Sequence, residues 1–312
     1  MSIDFDGQAA IVTGSGRGLG RLYALELARR GAQVVVNDIG ARSMKGGDSD
    51  TSVADQVVEE IRQAGGTAVA SYDSVDSVEG GAAIVRTALE AFGRVDAVVS
   101  NAGIYEMAPF DEITPDRWRT MLQVHLDGGF YLAQPAYRVM KEQGYGRFVF
   151  ISSQMGAFGA EQNAAYGSAK AGLIGLSNVI GLEGAPHGIK SNTVLPIGFS
   201  RMVTESIGDR KIGEMEETFF KLIEPERVVP MVVYFASKAC EVTHHNVSAA
   251  AGRYGRAFMG LTEGWLSDRE KPPATAEDIA EHYDQIADTA NFAVPMSSGE
   301  EIFAVCQRLG IV

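Results

Sequence analysis

Gln8-Ala-Ala-Ile-Val-Thr-Gly-Ser-Gly-Arg-Gly-Leu-Gly20 is the stretch on which the fold turns. Gln8 to Val12 is a short apolar run that stops at a glycine cluster, the pattern of a buried strand. Thr13 to Gly20 is a glycine turn, and the helix it opens carries Leu22, Leu25, Leu27 and Ala28 ahead of Gly31. Strand, glycine turn and helix in that order bring backbone N–H groups and a helix N-terminus to one point, where a pyrophosphate is received. Gly14 and Gly18 permit the tight turn and close approach, with Arg17 and Leu19 beside them as further candidate cofactor contacts. A lone glycine pattern also describes an ordinary strand–helix turn, so the flanking sequence has to decide.

The next strand, Gln33-Val-Val-Val-Asn-Asp38, ends on an acid eighteen residues past Gly20. An acid there accepts hydrogen bonds from the ribose hydroxyls of NAD and repels the 2′-phosphate of NADP. Arg17 and Arg42 pull the other way without removing the carboxylate, so NAD is the expected cofactor. Residues 40–50 are polar and glycine-rich, a surface loop. Helices are expected over 51–64 and 78–92, and strands over 67–73 and 95–100, the last running into Asn101-Ala102-Gly103. Asp73 and Ser74 either touch an adenine or are solvated turn residues. Strands alternating with helices imply a doubly wound, Rossmann-like α/β fold with a parallel sheet and right-handed crossovers. Ligands of such sheets bind beyond the carboxyl ends of the strands. Gly14, Asp38, Asp73, Asn101 and Ser153 all fall there.

Residues 114–143 read as one long helix turning Trp118, Met121, Leu122, Val124 and Leu126 toward a core. The apolar strand Arg147-Phe-Val-Phe-Ile151 delivers Ser152 and Ser153 at its end. A small-residue helix begins near Ala164 and carries Tyr166-Gly-Ser-Ala-Lys170. Four residues apart on a helix, Tyr166 and Lys170 share a face, so an ammonium can sit beneath a phenol. Bringing a phenol from its ordinary pKa of about 10 to near neutrality takes about 4 kcal/mol, which one cation about 4 Å away supplies at an effective dielectric near 20. Such a pair is a proton-transfer group, and Ser153, thirteen positions before the tyrosine, can hold a substrate oxygen. The same spacing recurs at Tyr137/Lys141 and Tyr234/Lys238, but Val124 and Lys221 stand thirteen residues earlier. Those two pairs read as tyrosines with snorkelling lysines. A strand at 190–195 then leads into Pro196-Ile-Gly198. Residues 200–225, with Met202, Met215, Phe219 and Phe220 among charges, read as an apolar lid over a substrate or as extra packed helices.

At 312 residues and 46% apolar content the chain can bury a full core. Its formal charge of −13 argues against nucleic-acid binding. No apolar run reaches membrane-span length, and neither a basic signal start nor a peroxisomal ending is present, so a cytoplasmic protein is expected. Cys240 and Cys306 show no metal-ligand spacing and read as free thiols.

Thr13-Gly-x-x-x-Gly18-x-Gly20, Asn101-Ala-Gly103, Ser153, Tyr166-x-x-x-Lys170 and Pro196-x-Gly198 together resemble the short-chain dehydrogenase/reductase superfamily over residues 5–250. The resemblance implies catalysis by Ser153, Tyr166 and Lys170, and cofactor contacts from Gly14, Arg17, Gly18, Leu19, Asp38, Asp73, Ser74, Asn101, Ala102, Gly103, Tyr166, Lys170, Pro196 and Gly198. A closer likeness is to the (3R)-hydroxyacyl-CoA dehydrogenase units of peroxisomal multifunctional enzymes. It rests on Gly-Leu-Gly-Arg-Leu-Tyr-Ala24, Val-Val-Val-Asn-Asp38, Tyr-Asp-Ser-Val75, Val-His-Leu126, Ser-Arg-Met202 and a tail from Gly252 through Asp278. It implies a dehydrogenase without the hydratase and sterol-carrier portions found there, acting on a 3-hydroxyacyl-CoA, with a hydroxysteroid or other hydrophobic alcohol as the alternative. His125 replaces the asparagine most of the superfamily carries; it is a fourth candidate catalytic residue or a packed helix histidine. A homodimer or homotetramer is implied, and the small-residue face Ala165, Ala169, Gly172, Gly175 either admits a partner helix or packs on the sheet. The domain is expected over 1–251 with a helical extension, 252–312, packed on it. Arg253 and Arg256 either bind the phosphates of a CoA ester or pair with acids. A cofactor-binding protein without turnover is the reading from another class; it would be favoured by loss of the serine, tyrosine or lysine, and all three are present.

Overall fold

The computed structural model describes residues 2–41, 43, 50–200, 203–204 and 211–311; Arg42 and Met202, singled out above, lie outside them. Two compact units divide the chain, Met1–Ala257 and Phe258–Val312.

The first unit is built on an eight-stranded sheet. In chain order its strands are β1 (Ala9–Thr13), β2 (Gln33–Asn37), β3 (Thr67–Ser71), β4 (Ala97–Ser100), β5 (Gly146–Ile151), β6 (Ile189–Ile197), β7 (Asn246–Ala250) and β8 (Arg253–Ala257). Their spatial order is β3-β2-β1-β4-β5-β6-β7-β8, parallel throughout except for the antiparallel β7–β8 pair. A parallel sheet is covered by helices on both faces, so its strands read as continuous apolar runs. Successive residues then alternate between two cores. Val34 and Val36 pack with Tyr23, Leu27, Val57, Ile61 and Phe235 on one face. Val35 between them packs with Ile84, Val85, Leu132 and Leu173 on the other. Burying each such valine contributes about 1.5–3 kcal/mol. Strand order reverses beside β1, between β2 and β4, which opens a crevice at their carboxyl ends.

The long helix expected over 114–143 is interrupted. Helices run Pro115–Leu122 and Gly128–Gln143, and a π-helical turn, Gln123–Asp127, joins them. Close packing requires the glycines that follow: a Cβ on Gly129 would stand 2.7 Å from Leu173, and one on Gly128 3.0 Å from Val75. The helix Ala164–Gly184 begins where the sequence places it. Of the small residues on its expected partner face, Gly175 is open, with no atom within 4 Å of where a Cβ would stand, but the other three are packed inside the chain. Ala165 and Ala169 pack with Tyr105 and Met121, and a Cβ on Gly172 would meet Leu126 at 2.8 Å. Beyond the sixth strand, β7 and β8 were not legible as strands, since neither carries a long apolar run.

The second unit pairs Leu261–Thr262 with Phe292–Ala293 and holds helices Ala276–Glu281, Tyr283–Ala287 and Ser298–Arg308. Thr275 and Asp278 form a capping box at the first of these. Trp265 stacks on His282 with ring centroids 4.1 Å apart.

Candidate active site

A crevice of about 520 Å³ lies beyond the carboxyl ends of the strands, and the four candidate catalytic residues and the cofactor contacts read from the sequence all line it. At one end the glycine turn approaches the loop after β4. Gly14 has φ +63°, and a Cβ there would stand 2.8 Å from the Ala102 Cα. Gly18, at φ +53°, begins the helix Gly18–Arg29, and no atom stands within 4 Å of where its Cβ would be. Backbone can thus approach a ligand closely at the helix N-terminus, as a pyrophosphate requires. Asn101 spends its side-chain amide on the Thr13 and Gly14 carbonyls, at 2.9 and 3.1 Å, and so braces the turn. Thr13 Oγ1 accepts the backbone N–H groups of Asn101 and Ala102.

Asp38 is held on both oxygens. Gly16 N donates to Oδ2 at 2.8 Å and Gly40 N to Oδ1 at 2.7 Å. Each oxygen keeps a further lone pair, and the residue lines the crevice. Arg17 donates to the Ala41 carbonyl at 2.9 Å, which ties its guanidinium to the segment after Asp38. Asp73 is fixed by the Asn37 amide on its carbonyl and Ser71 Oγ on its carboxylate. Leu19, Ser74, Gly103, Pro196 and Gly198 complete this end of the lining.

At the other end, Ser153 caps the short helix Gln154–Phe158, its Oγ accepting the Met155 N–H at 3.1 Å. The same side chain is hydrogen-bonded to Tyr166. Lys170 Nζ is 5.5 Å from the centre of the Tyr166 ring and donates to the Ile151 carbonyl at 2.7 Å. Burial brings Lys170 down to about 7. Burial also raises Tyr166 well above the ordinary phenol range; the Ser153 bond opposes this and Tyr105 adds to it. In the ligand-free chain burial thus opposes the expected lowering of the Tyr166 phenol, and it weakens the hold of Lys170 on its own proton as well.

His125 turns inward from the π-helical turn. Its Nε2 lies 2.8 Å from the Ile104 carbonyl and 3.3 Å from the Ile104 amide, and its Nδ1 is buried without a hydrogen bond. Burial first, then Lys170, keep the imidazole well below its usual range, so the ring is neutral. It stands edge-on to Tyr166 at 5.2 Å. Tyr105 does the same at 5.0 Å. Sequence reasoning passed over Tyr105, although an aromatic two residues beyond Asn101-Ala-Gly103 was the available signal. Ile104, Met155 and Val203 add apolar lining on this side.

Tyr137 and Tyr234 do not line the crevice. Arg253 and Arg256 do not either. Arg253 is opposite Ala250 and Arg256 opposite Val247, three residues apart on one strand, so they point to opposite faces. Of 200–225, the helix Glu214–Leu222 is described, with Phe220 against Phe199 at 5.7 Å, and most of 201–210 lies outside the described residues.

Residues 8–211 match the family described as short chain dehydrogenase. The chain is 39% identical over 305 residues to peroxisomal multifunctional enzyme type 2 of Mus musculus, covering 98% of this chain and 40% of that one. It is 37% identical over 287 residues to the peroxisomal hydratase-dehydrogenase-epimerase of Saccharomyces cerevisiae, covering 92% and 31%. The full-length peroxisomal multifunctional enzyme type 2 of Drosophila melanogaster superposes with a TM-score of 0.80 at 30% identity, over 99% of this chain and 50% of that one. The chain spans half or less of the length of these three proteins.

Proposed function

This chain belongs to the short chain dehydrogenase family, and from that premise we propose that it oxidises the secondary alcohol of a 3-hydroxyacyl-CoA with NAD. The observation that carries this is the convergence of Ser153, Tyr166 and Lys170 at one end of a crevice whose other end fits a dinucleotide. Gly14 and Gly18 would hold the pyrophosphate, and Asp38, with its carboxylate already oriented, would accept the ribose hydroxyls and repel a 2′-phosphate. When bound, an oxidised nicotinamide supplies the hydride acceptor and a positive charge that favours the phenolate. Tyr166 takes the hydroxyl proton of the alcohol, and in the reductive direction returns it. Ser153 donates to the substrate oxygen as charge develops on it. Lys170 supports Tyr166 from the same helix face. His125, neutral and bonded to Ile104, steadies the wall beside them.

The acyl-CoA reading draws on the likeness to the multifunctional enzymes and not on Arg253 and Arg256. A hydratase forms a secondary alcohol, and the name of the yeast relative joins that step to a dehydrogenase. A hydroxysteroid or other hydrophobic alcohol is the second reading, favoured by the apolar lining of Ile104, Tyr105, Met155 and Val203. We propose a homo-oligomer in the cytosol, and its two free cysteines fit a reducing compartment. The test is NADH formation by the purified chain with (3R)- and (3S)-3-hydroxyacyl-CoA, hydroxysteroids and small secondary alcohols, each with NAD and NADP. Fastest turnover of a hydroxyacyl-CoA with NAD is expected; a faster steroid, or preference for NADP, overturns the corresponding assignment.

A further inference from the structure

We infer that Tyr105 is a positioning residue of this site: its hydroxyl, anchored on Asn163, holds the wall formed by residues 104–109 against the start of the helix that carries Tyr166. The inference rests on the proposed acid–base role of Tyr166. Residues 104–109 belong to no helix or strand, so their placement must come from other contacts. Ties to His125, Arg117, Asn163 and Gln162 supply it. Ile104 is bonded to His125, and Glu106 is paired with Arg117 at 2.6 Å. Tyr105 Oη donates to Asn163 Oδ1 at 3.0 Å, and Ala108 N donates to the Gln162 carbonyl at 3.0 Å. Two of these therefore end on the residues just ahead of Ala164.

Those residues are unusual. Asn163 is the N-cap of Ala164–Gly184 but makes no side-chain capping bond. An asparagine at that place ordinarily accepts an amide from the first turn. Here its Oδ1 takes the Tyr105 hydroxyl and its Nδ2 donates to the Glu161 carbonyl at 2.7 Å. Gln162 has φ +60°, a left-handed conformation that a residue with a side chain keeps only when its surroundings impose it. The contacts from 105 and 108 are such an imposition. Tyr166 lies one turn further on, with the rings of Tyr105 and His125 both perpendicular to it. A phenylalanine at 105 would give the same apolar contact. Burying a phenol in its place is costly unless the hydroxyl finds a partner. Tyr105 is 6% exposed and Asn163 4%. Burial keeps Tyr105 protonated, hence a donor.

The experiment compares full-length wild type with Tyr105→Phe, Asn163→Ala and the double variant. Hydrogen exchange, which needs no substrate, should speed up about tenfold over 159–170 in each variant while the central strands stay protected. With the alcohol that wild type oxidises fastest, kcat should fall about five- to tenfold, with KM and the Kd for NAD within about twofold. The double variant should be no slower than the slower single one, because both remove the same tie. Unchanged exchange over 159–170, an unchanged kcat, or losses that multiply would each overturn the inference. Tyr166→Phe in the same assay separates the two claims. If it is active, the acid–base reading fails; if it is dead while Tyr105→Phe is unimpaired, only the role of Tyr105 fails.

Discussion

Lys170 places Nζ 5.5 Å from the centre of the Tyr166 ring yet donates its hydrogen bond to the carbonyl of Ile151, two residues before Ser153. The lysine thus braces the end of β5 and the helix face below the phenol together. Ser152 Oγ, donating to the Lys170 carbonyl at 2.7 Å, closes the same link from the other side.

On this arrangement Tyr166→Phe should abolish turnover and leave NAD affinity nearly intact, since only the ionisable oxygen goes. Lys170→Ala should damage both, because it removes the brace as well as the amine. Tyr137→Phe and Tyr234→Phe, outside the crevice, should be close to silent. Steady-state rates and a fluorescence titration with NAD check all four; retention of more than about a tenth of the wild-type rate in Tyr166→Phe would place the base elsewhere.

Burial of Lys170 also fixes the sign of a pH dependence. Its affinity for a proton falls from 10.5 in water to about 7 in the folded chain. Between those values the unfolded chain binds more protons than the folded one, so stability rises with pH. The ligand-free chain should therefore gain stability from about pH 7 toward pH 9. At higher pH the buried Tyr23, Tyr105 and Tyr166, all raised by burial, reverse the trend, because the unfolded chain loses protons that the folded one keeps. Denaturant unfolding across this range should show the rise in wild type and a flatter profile in Lys170→Met. An equal slope in both would show that Lys170 is not the group responsible.

How much of this was legible in sequence follows from what each feature depends on. The parallel sheet was, because Gln33-Val-Val-Val and Arg147-Phe-Val-Phe-Ile151 carry their burial in composition. The crevice lining was, because Gly14, Asp38, Asn101 and Ser153 each follow a strand and the topology brings strand ends together. The π-helical turn at Gln123–Asp127 was not, since a single change of phase in a long apolar pattern still reads as one continuous helix. The Tyr105–Asn163 bond spans fifty-eight residues and joins two irregular segments, which no periodicity reports. The burial of Tyr166 and Lys170 was not legible either, because spacing gives proximity, while desolvation depends on everything packed around the pair.

Asp38 should set the choice of cofactor. Asp38→Ala removes the acceptor for the ribose hydroxyls and the charge that excludes a 2′-phosphate, and Arg17, tied to Ala41 nearby, would then favour the phosphate. NAD affinity should fall about ten- to a hundredfold and the NAD/NADP ratio of kcat/KM should drop with it. The loss of the two bonds to Gly16 N and Gly40 N will also loosen the turn, so the decisive reading is the ratio and not the NAD affinity alone. A ratio that stays put would mean that discrimination lies elsewhere.

The proposed assembly should use a different face of Ala164–Gly184 from the one its small residues first suggest. Ala165, Ala169 and Gly172 are spent inside the chain. Ala171, Gly175, Val179 and Leu182 are exposed and recur at intervals of four, four and three, which lines them up along one side of the helix. No atom lies within 4 Å of where a Cβ on Gly175 would stand, so a second helix can come close there. Val179 and Leu182 expose 51% and 44% of their surface, apolar area that a symmetric partner copy would bury. Val179→Arg should put like charges face to face across a two-fold axis and turn a dimer into a monomer at micromolar concentration. NAD binding should survive, because Tyr166 and Lys170 sit on the buried side of the same helix. Light scattering on both proteins checks this. A monomeric wild type would remove the assembly altogether, and a variant that stays dimeric would move the interface to another face.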